Sequence, residues 1–127
     1  MKWQWILKSV VVAFHDMQLM QHGGALGLRD EGLLDSALSR PENLAAYGEP
    51  DAFDLAASYA CGITKNHPFT DGNKRVAFIT AVVFLEVNGF TFRASEVDVV
   101  LNVLALAAGE MPEQDFAAWL RAHSKPA

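Results

Sequence analysis

The sequence predicts an all-α, single-domain protein spanning 1–127, with about six helices around a central helix and room for one small β-ribbon. Three observations lead there. Apolar residues recur at three- and four-residue intervals along most of the chain, the spacing that gives a helix one buried face. Alternating, strand-like patterns are almost absent. A chain of 127 residues, 51% hydrophobic and 20% charged, can bury one core without disulfides or a structural metal.

The elements follow from spacing and punctuation. A short extended piece around Trp3 to Ile6 precedes a helix from about Lys8 to His22, with Val10, Phe14 and Met17 on one face and Gly23 and Gly24 ending it. Asp30 caps a second helix, EGLLDSALSR, expected to stop at Pro41. The stretch from Asn43 to Ala52, with Tyr47, Gly48 and Pro50, reads as a loop and as the longest candidate for a mobile flap. A third helix begins near Asp54, carries Leu55, Tyr59, Gly62 and Ile63, and breaks at His67, where Pro68 disfavours helical geometry.

From Asn73 to Val87 the residues Val76, Ile79, Thr80, Val83, Phe84 and Val87 share a face, and this fourth helix reads as the central, most buried one. Asn88 and Gly89 end it, and Phe90 to Phe92 is expected to pair with the N-terminal extended piece. Ser95 and Asp98 resemble a capping box before an apolar stripe of Val97, Val100, Leu101, Leu104, Ala105 and Ala108. Pro112 opens a last helix that presents Phe116, Trp119 and Leu120.

Charge narrows the functional classes. A net charge of -5 argues against a general nucleic-acid binder, which needs excess Lys and Arg to neutralise phosphates. Lys65, Lys74 and Arg75 nonetheless crowd around one segment, a local positive potential suited to a small polyanion. No apolar run approaches the roughly 20 residues that span a bilayer, and the start lacks a signal-peptide cleavage site, so no membrane association and a cytoplasmic location are expected. Cys61 is the lone cysteine, which agrees with a reducing compartment, and its apolar helical neighbours mark it as a buried, inert thiol.

The segment His67 to Arg75, HPFTDGNKR, falls where one helix ends and the next begins. Backbone N–H groups and the positive end of the second helix converge there, which favours anions. Gly72 allows close approach, Asn73 can donate from its side chain, and Lys74 and Arg75 supply charge, so the four form a cradle for a di- or triphosphate. Asp71 beside bound phosphates suits a magnesium ion, and His67 is the nearby group able to accept a proton at neutral pH.

All nine positions fit the signature HPFx(D/E)GN(G/K)R, and the chain thereby resembles the Fic/Doc family. Similarity to its death-on-curing (Doc) branch extends through HGGALGLRDEGLLDSALSRPENLAAYGEP and the later helices, about Phe14 to Ser124. The resemblance implies a Fic-type helical bundle and a role for seven of the nine motif positions. His67 would be the general base toward a hydroxyl of a target protein, and Asp71 the magnesium ligand. Gly72, Asn73 and Arg75 would bind the phosphates of ATP, with Pro68 and Phe69 anchoring the loop.

Two positions depart from the adenylyl-transferring majority of that family, which has glycine where Lys74 stands and a second arginine where Phe78 stands. Doc-type toxins share the lysine and lack that arginine, and act as kinases on a threonine of elongation factor Tu. The resemblance therefore implies the toxin of a toxin–antitoxin system, an ATP- and Mg2+-dependent protein kinase that inhibits translation. Lys74 would fill and charge the anion hole and favour an ATP pose with its terminal phosphate toward His67. The alternatives are a protein adenylyltransferase and a catalytically inactive nucleotide- or partner-binding module.

Many family members carry an inhibitory helix with Ser or Thr four residues before a Glu that is followed by Gly or Asn. No glutamate here satisfies that pattern, so inhibition is expected from a separate antitoxin covering the active site. Among the remaining groups, His15 and His22 lie seven apart on one helix and read as structural, because two histidines without a third ligand make weak zinc evidence. His123 reads as solvated, and Trp3, Trp5 and Trp119 as core or interface anchors.

Overall fold

A computed structural model describes residues 2–25 and 27–127. Leu26, inside the stretch that resembles the Doc branch, and Met1 lie outside the described residues. In chain order the elements are α1 (Lys8–His22), α2 (Glu31–Tyr47), α3 (Ala52–Asn66), α4 (Asn73–Val87), β1 (Phe90–Phe92), α5 (Glu96–Ala107), α6 (Glu113–Ala122) and β2 (Ser124–Pro126). The described residues thus form a bundle of six helices and one two-stranded antiparallel ribbon.

The central helix is α3, not α4. Twelve of its fifteen residues are buried, against seven of fifteen in α4. The reason is its run of small residues, Ala56, Ala57, Ala60 and Gly62, which lets helices approach from several sides. At Gly62 the approach is so close that a Cβ would lie 3.1 Å from the Ala37 carbonyl of α2.

That same contact accounts for α2 running through Pro41, where the sequence was expected to stop it. Proline removes the N–H that would bond the Ala37 carbonyl, but Leu34, Ala37, Leu38 and Pro41 together form the buried face of α2. Burial of that stripe outweighs the lost bond, and the helix continues to Tyr47. The expected flap from Asn43 to Ala52 therefore shrinks to a short link ending at Asp51, whose carboxylate and that of Asp54 cap α3 reciprocally.

Other faces are rotated from expectation. In α1 the buried residues are Val11, His15 and Gln18, while Val10 and Met17 are exposed. In α4, Val76, Ala77, Thr80, Ala81, Phe84 and Leu85 turn inward and Val87 outward. Only Val103 and Leu106 of α5 are buried, and its stripe of Val97, Val100, Leu101 and Leu104 faces outward.

The ribbon also has a different partner. β1 pairs with β2 at the C-terminus, in the register Phe90↔Pro126, Thr91↔Lys125 and Phe92↔Ser124. The N-terminal piece is held by side chains instead. Asn88 exchanges two hydrogen bonds with the Gln4 main chain, Ile6 N–H donates to the Tyr59 hydroxyl at 3.0 Å, and Trp3 and Trp5 pack on Phe84. His123 is half-buried, not simply solvated: its Nδ1 lies 2.9 Å from the Trp119 carbonyl and its Nε2 3.5 Å from Asp98.

Candidate active site

The motif begins where α3 ends. His67 is the C-cap of α3 and adopts φ 51, ψ 54, the one non-glycine residue with positive φ among those described. Its N–H still bonds the Ile63 carbonyl at 3.1 Å, and its side chain is exposed. Pro68 cannot continue the helix, so the left-handed turn swings the chain across the bundle. Phe69 then drops into the core with no exposed surface.

Two sets of contacts hold the loop. On one side the residues leading into α2 run antiparallel to it, with a bridge between Leu28 and Phe69. Arg29 and Asp30 N–H groups donate to the Pro68 carbonyl at 2.7 and 3.0 Å, and Thr70 N–H donates to the Gly27 carbonyl at 3.1 Å. Beneath the loop, the His15 ring stacks on Phe69 and its Nε2 lies 2.9 Å from the Asp71 carbonyl. Because a carbonyl only accepts, that nitrogen carries the proton.

Asn73 is the main departure among the motif residues. Its side chain is 3% exposed and bonds the Phe69 main chain twice, accepting from N–H at 3.0 Å and donating to the carbonyl at 2.9 Å. The sequence expectation that this side chain reaches phosphate is revised: it closes the loop, and what Asn73 offers an anion is its backbone N–H in the first turn of α4. Pro68 and Phe69, the expected anchors, are both buried.

Gly72 is the N-cap of α4 at φ 79, a left-handed position natural to glycine. Among the described residues no side chain caps this end of α4, and its first turn holds no acidic residue. Lys74 and Arg75 occupy that turn instead, exposed and without an ion-pair partner among the described residues. Cations at the positive end of a helix oppose its dipole. The contrast with α2 and α3 is direct, since each of those places an aspartate at its N-cap.

The Asp71 side chain is exposed, and Oδ1 accepts from Gly72 N–H at 2.8 Å. Gly24, at φ +122, lies against the other oxygen: a Cβ there would come within 2.8 Å of Oδ2. A glycine at the end of α1 thus leaves the carboxylate its room. Beside the cradle, Gln18 and His22 of α1, Arg75 and Phe78 of α4 and Val97 and Leu101 of α5 border an open groove of about 1130 Å³. Phe78 meets Phe92 edge-on at 5.8 Å.

The arrangement offers an exposed imidazole, an exposed carboxylate and an anion-attracting helix end along one braced loop. A model of the Fic/DOC family matches residues 5–85. The chain belongs to the Fic/DOC family. Within it, the chain is 35% identical over 80 residues to "Protein kinase doc" of Escherichia phage P1, covering 62% of this chain and 64% of that protein. It is 43% identical over 75 residues to "Toxin Doc" of Mycolicibacterium smegmatis (strain ATCC 700084 / mc(2)155), covering 57% of each. In both cases the match spans less than two thirds of the relative's own length.

Sequence reasoning missed two supports of this Fic/DOC loop. His15 was read as structural, which its burial bears out, but not as a partner of the motif, and Arg29 carried no signal beyond standing next to the Asp30 cap. Both act across the chain, at separations of 56 and 38 residues, which periodicity does not report. Zinc ligation by His15 and His22 has no support, since His15 is buried under the loop and His22 lies exposed at the groove.

Proposed function

We propose that this chain is the toxin of a toxin–antitoxin pair and a kinase that moves the terminal phosphoryl group of ATP to a Ser or Thr hydroxyl of a target protein. Elongation factor Tu is the expected target and inhibited translation the consequence. The observation that carries the reading is the pair of exposed cations, Lys74 and Arg75, without an ion-pair partner among the described residues, at the start of α4. Folding alone gains nothing from that placement, whereas a polyphosphate answers both the charges and the open N–H groups.

In this reading the backbone N–H groups after Gly72, with Lys74 and Arg75, orient the phosphates. His67 takes the proton of the acceptor hydroxyl as that oxygen bonds to phosphorus and the bond to the departing diphosphate oxygen breaks. Asp71 fits a magnesium ion that arrives with the nucleotide. It is a single exposed carboxylate, and among the described residues no three ligating side chains form a cage, which matches an ion completed by phosphates and water. Bound there, magnesium would neutralise charge on the phosphates.

Phe78 favours phosphoryl over adenylyl transfer. Where adenylyl-transferring members carry a second arginine, this chain has a ring packed on Phe92 beside the groove. The groove is the proposed seat of the antitoxin, because the exposed Val97, Val100 and Leu101 of α5 give it an apolar wall and Arg75 lies at its edge beside the cradle. An occupant there would cover the site.

Incubating the purified chain with a cell lysate and ATP labelled at either the terminal or the first phosphorus tests the reading, with His67→Ala as control. Terminal label should enter protein and depend on His67. Label from the first phosphorus would make the enzyme an adenylyltransferase. Equal labelling by wild type and His67→Ala would leave a binding module.

A further inference from the structure

Arg29 is exposed, yet its guanidinium is engaged with main-chain carbonyls. Nε donates to the His67 carbonyl at 2.9 Å, and Nη2 donates to the same oxygen at 2.7 Å and to the Asn66 carbonyl at 3.1 Å. These are among the last carbonyls of α3, left without helical N–H partners because the chain turns away. The neighbouring N–H groups of Arg29 and Asp30 take the Pro68 carbonyl, so three successive carbonyls, Asn66 to Pro68, are held from one short segment.

The residue at the centre of that clamp has the left-handed backbone. For a residue with a β-carbon this conformation is disfavoured by contact between Cβ and the carbonyl oxygen, and it persists where surrounding contacts over-determine it. We infer that Arg29 is a positioning residue for His67. By fixing the His67 carbonyl it holds φ 51, ψ 54 and thereby sets the direction in which the Cα–Cβ bond carries the imidazole out of the chain. This inference rests on the reading of His67 as the base.

A planar fork is required for this role. Lysine would keep the charge but present one nitrogen, which cannot reproduce paired donation to one carbonyl and a third bond to the next. If Arg29 acted only as a helix-end cap, replacing it would lower stability and leave the turnover of folded enzyme unchanged. If it positions His67, the chemical step falls while nucleotide affinity stays, because the cradle belongs to α4.

The test uses Arg29→Met and Arg29→Lys in the full chain, read in two ways. Steady-state transfer should show kcat lower by on the order of 10- to 100-fold with KM for ATP within about twofold, and Arg29→Lys intermediate. Separately, the backbone carbon NMR shifts of His67, measured without nucleotide, should leave their left-handed values in Arg29→Met. Unchanged shifts, unchanged kcat in active enzyme, or an Arg29→Met chain that does not fold while folded Arg29→Lys keeps full kcat would each overturn the inference. If the wild-type chain transfers nothing, the proposed function fails, and the shifts alone decide whether Arg29 holds the turn.

Discussion

His15 of α1 lies flat against Phe69 of the motif loop, with ring centroids 4.1 Å apart and planes 10° from parallel. The same imidazole donates through Nε2 to the Asp71 carbonyl at 2.9 Å, so one buried side chain fixes the loop at an anchor and at the main chain of Asp71 beside the cradle. His15→Ala removes both the stack and the donor. The expected cost is about 2–4 kcal/mol by denaturant unfolding, a cavity term plus one buried hydrogen bond. A loss under about 0.5 kcal/mol, the range of ordinary surface substitutions, would mean that the loop is held without it.

Asn73 closes the loop on itself through the Phe69 main chain. Asn73→Ala strands a buried N–H and a buried carbonyl, each worth about 1–3 kcal/mol when left unpaired. The variant should lose stability by roughly 2 kcal/mol or more on the same basis. Loss of ATP affinity in a fully stable Asn73→Ala protein would instead return the side chain to the phosphates.

These two residues show where the sequence was legible. The placing of His67, Asp71 and Gly72 between two helices was readable from local chemistry, because Pro68 breaks one helix and Gly72 opens the next. Asn73 was placed in the right loop but given the wrong contact, since an amide serves phosphate and backbone equally well and only burial distinguishes them.

The same limit governed the fold. Helix positions were legible from spacing, and α1 and α4 match their expected bounds. Facing direction and pairing depend on distant partners. Pro41 stays helical because its face packs against α3, the α5 stripe faces outward beside a groove, and β1 pairs with residues more than thirty positions away.

Tyr59 gives the fold an alkaline limit. Burial pushes its hydroxyl up to about 12 from 10.0, against the opposing pull of the Ile6 N–H bond, with Glu42 adding a small upward push. The folded state therefore holds this proton more tightly than the unfolded chain. The associated stability is fully present below pH 10 and is lost as pH rises from 10 towards 12. Unfolding measured across that range should show the decline in wild type and a weaker one in Tyr59→Phe; identical slopes would contradict it.

In the proposed reading Lys74 sets which group is transferred. Lys74→Gly should lower phosphoryl transfer by on the order of 10²–10³-fold if the ammonium stabilises charge on the transferring group. Nucleotide-dependent transfer followed with label at each phosphorus measures it. Undiminished phosphoryl transfer in the glycine variant would remove Lys74 from the mechanism.

In the proposed function the loop from His67 to Arg75 transfers phosphate to a Ser or Thr hydroxyl of elongation factor Tu. Intact-mass analysis of elongation factor Tu after incubation with the chain, ATP and magnesium tests it most directly, alongside His67→Ala. The expected result is a gain of one phosphoryl group on a Ser or Thr that disappears in the variant. A gain of an adenylyl group, or an unmodified factor in the presence of folded, ATP-binding protein, would contradict it.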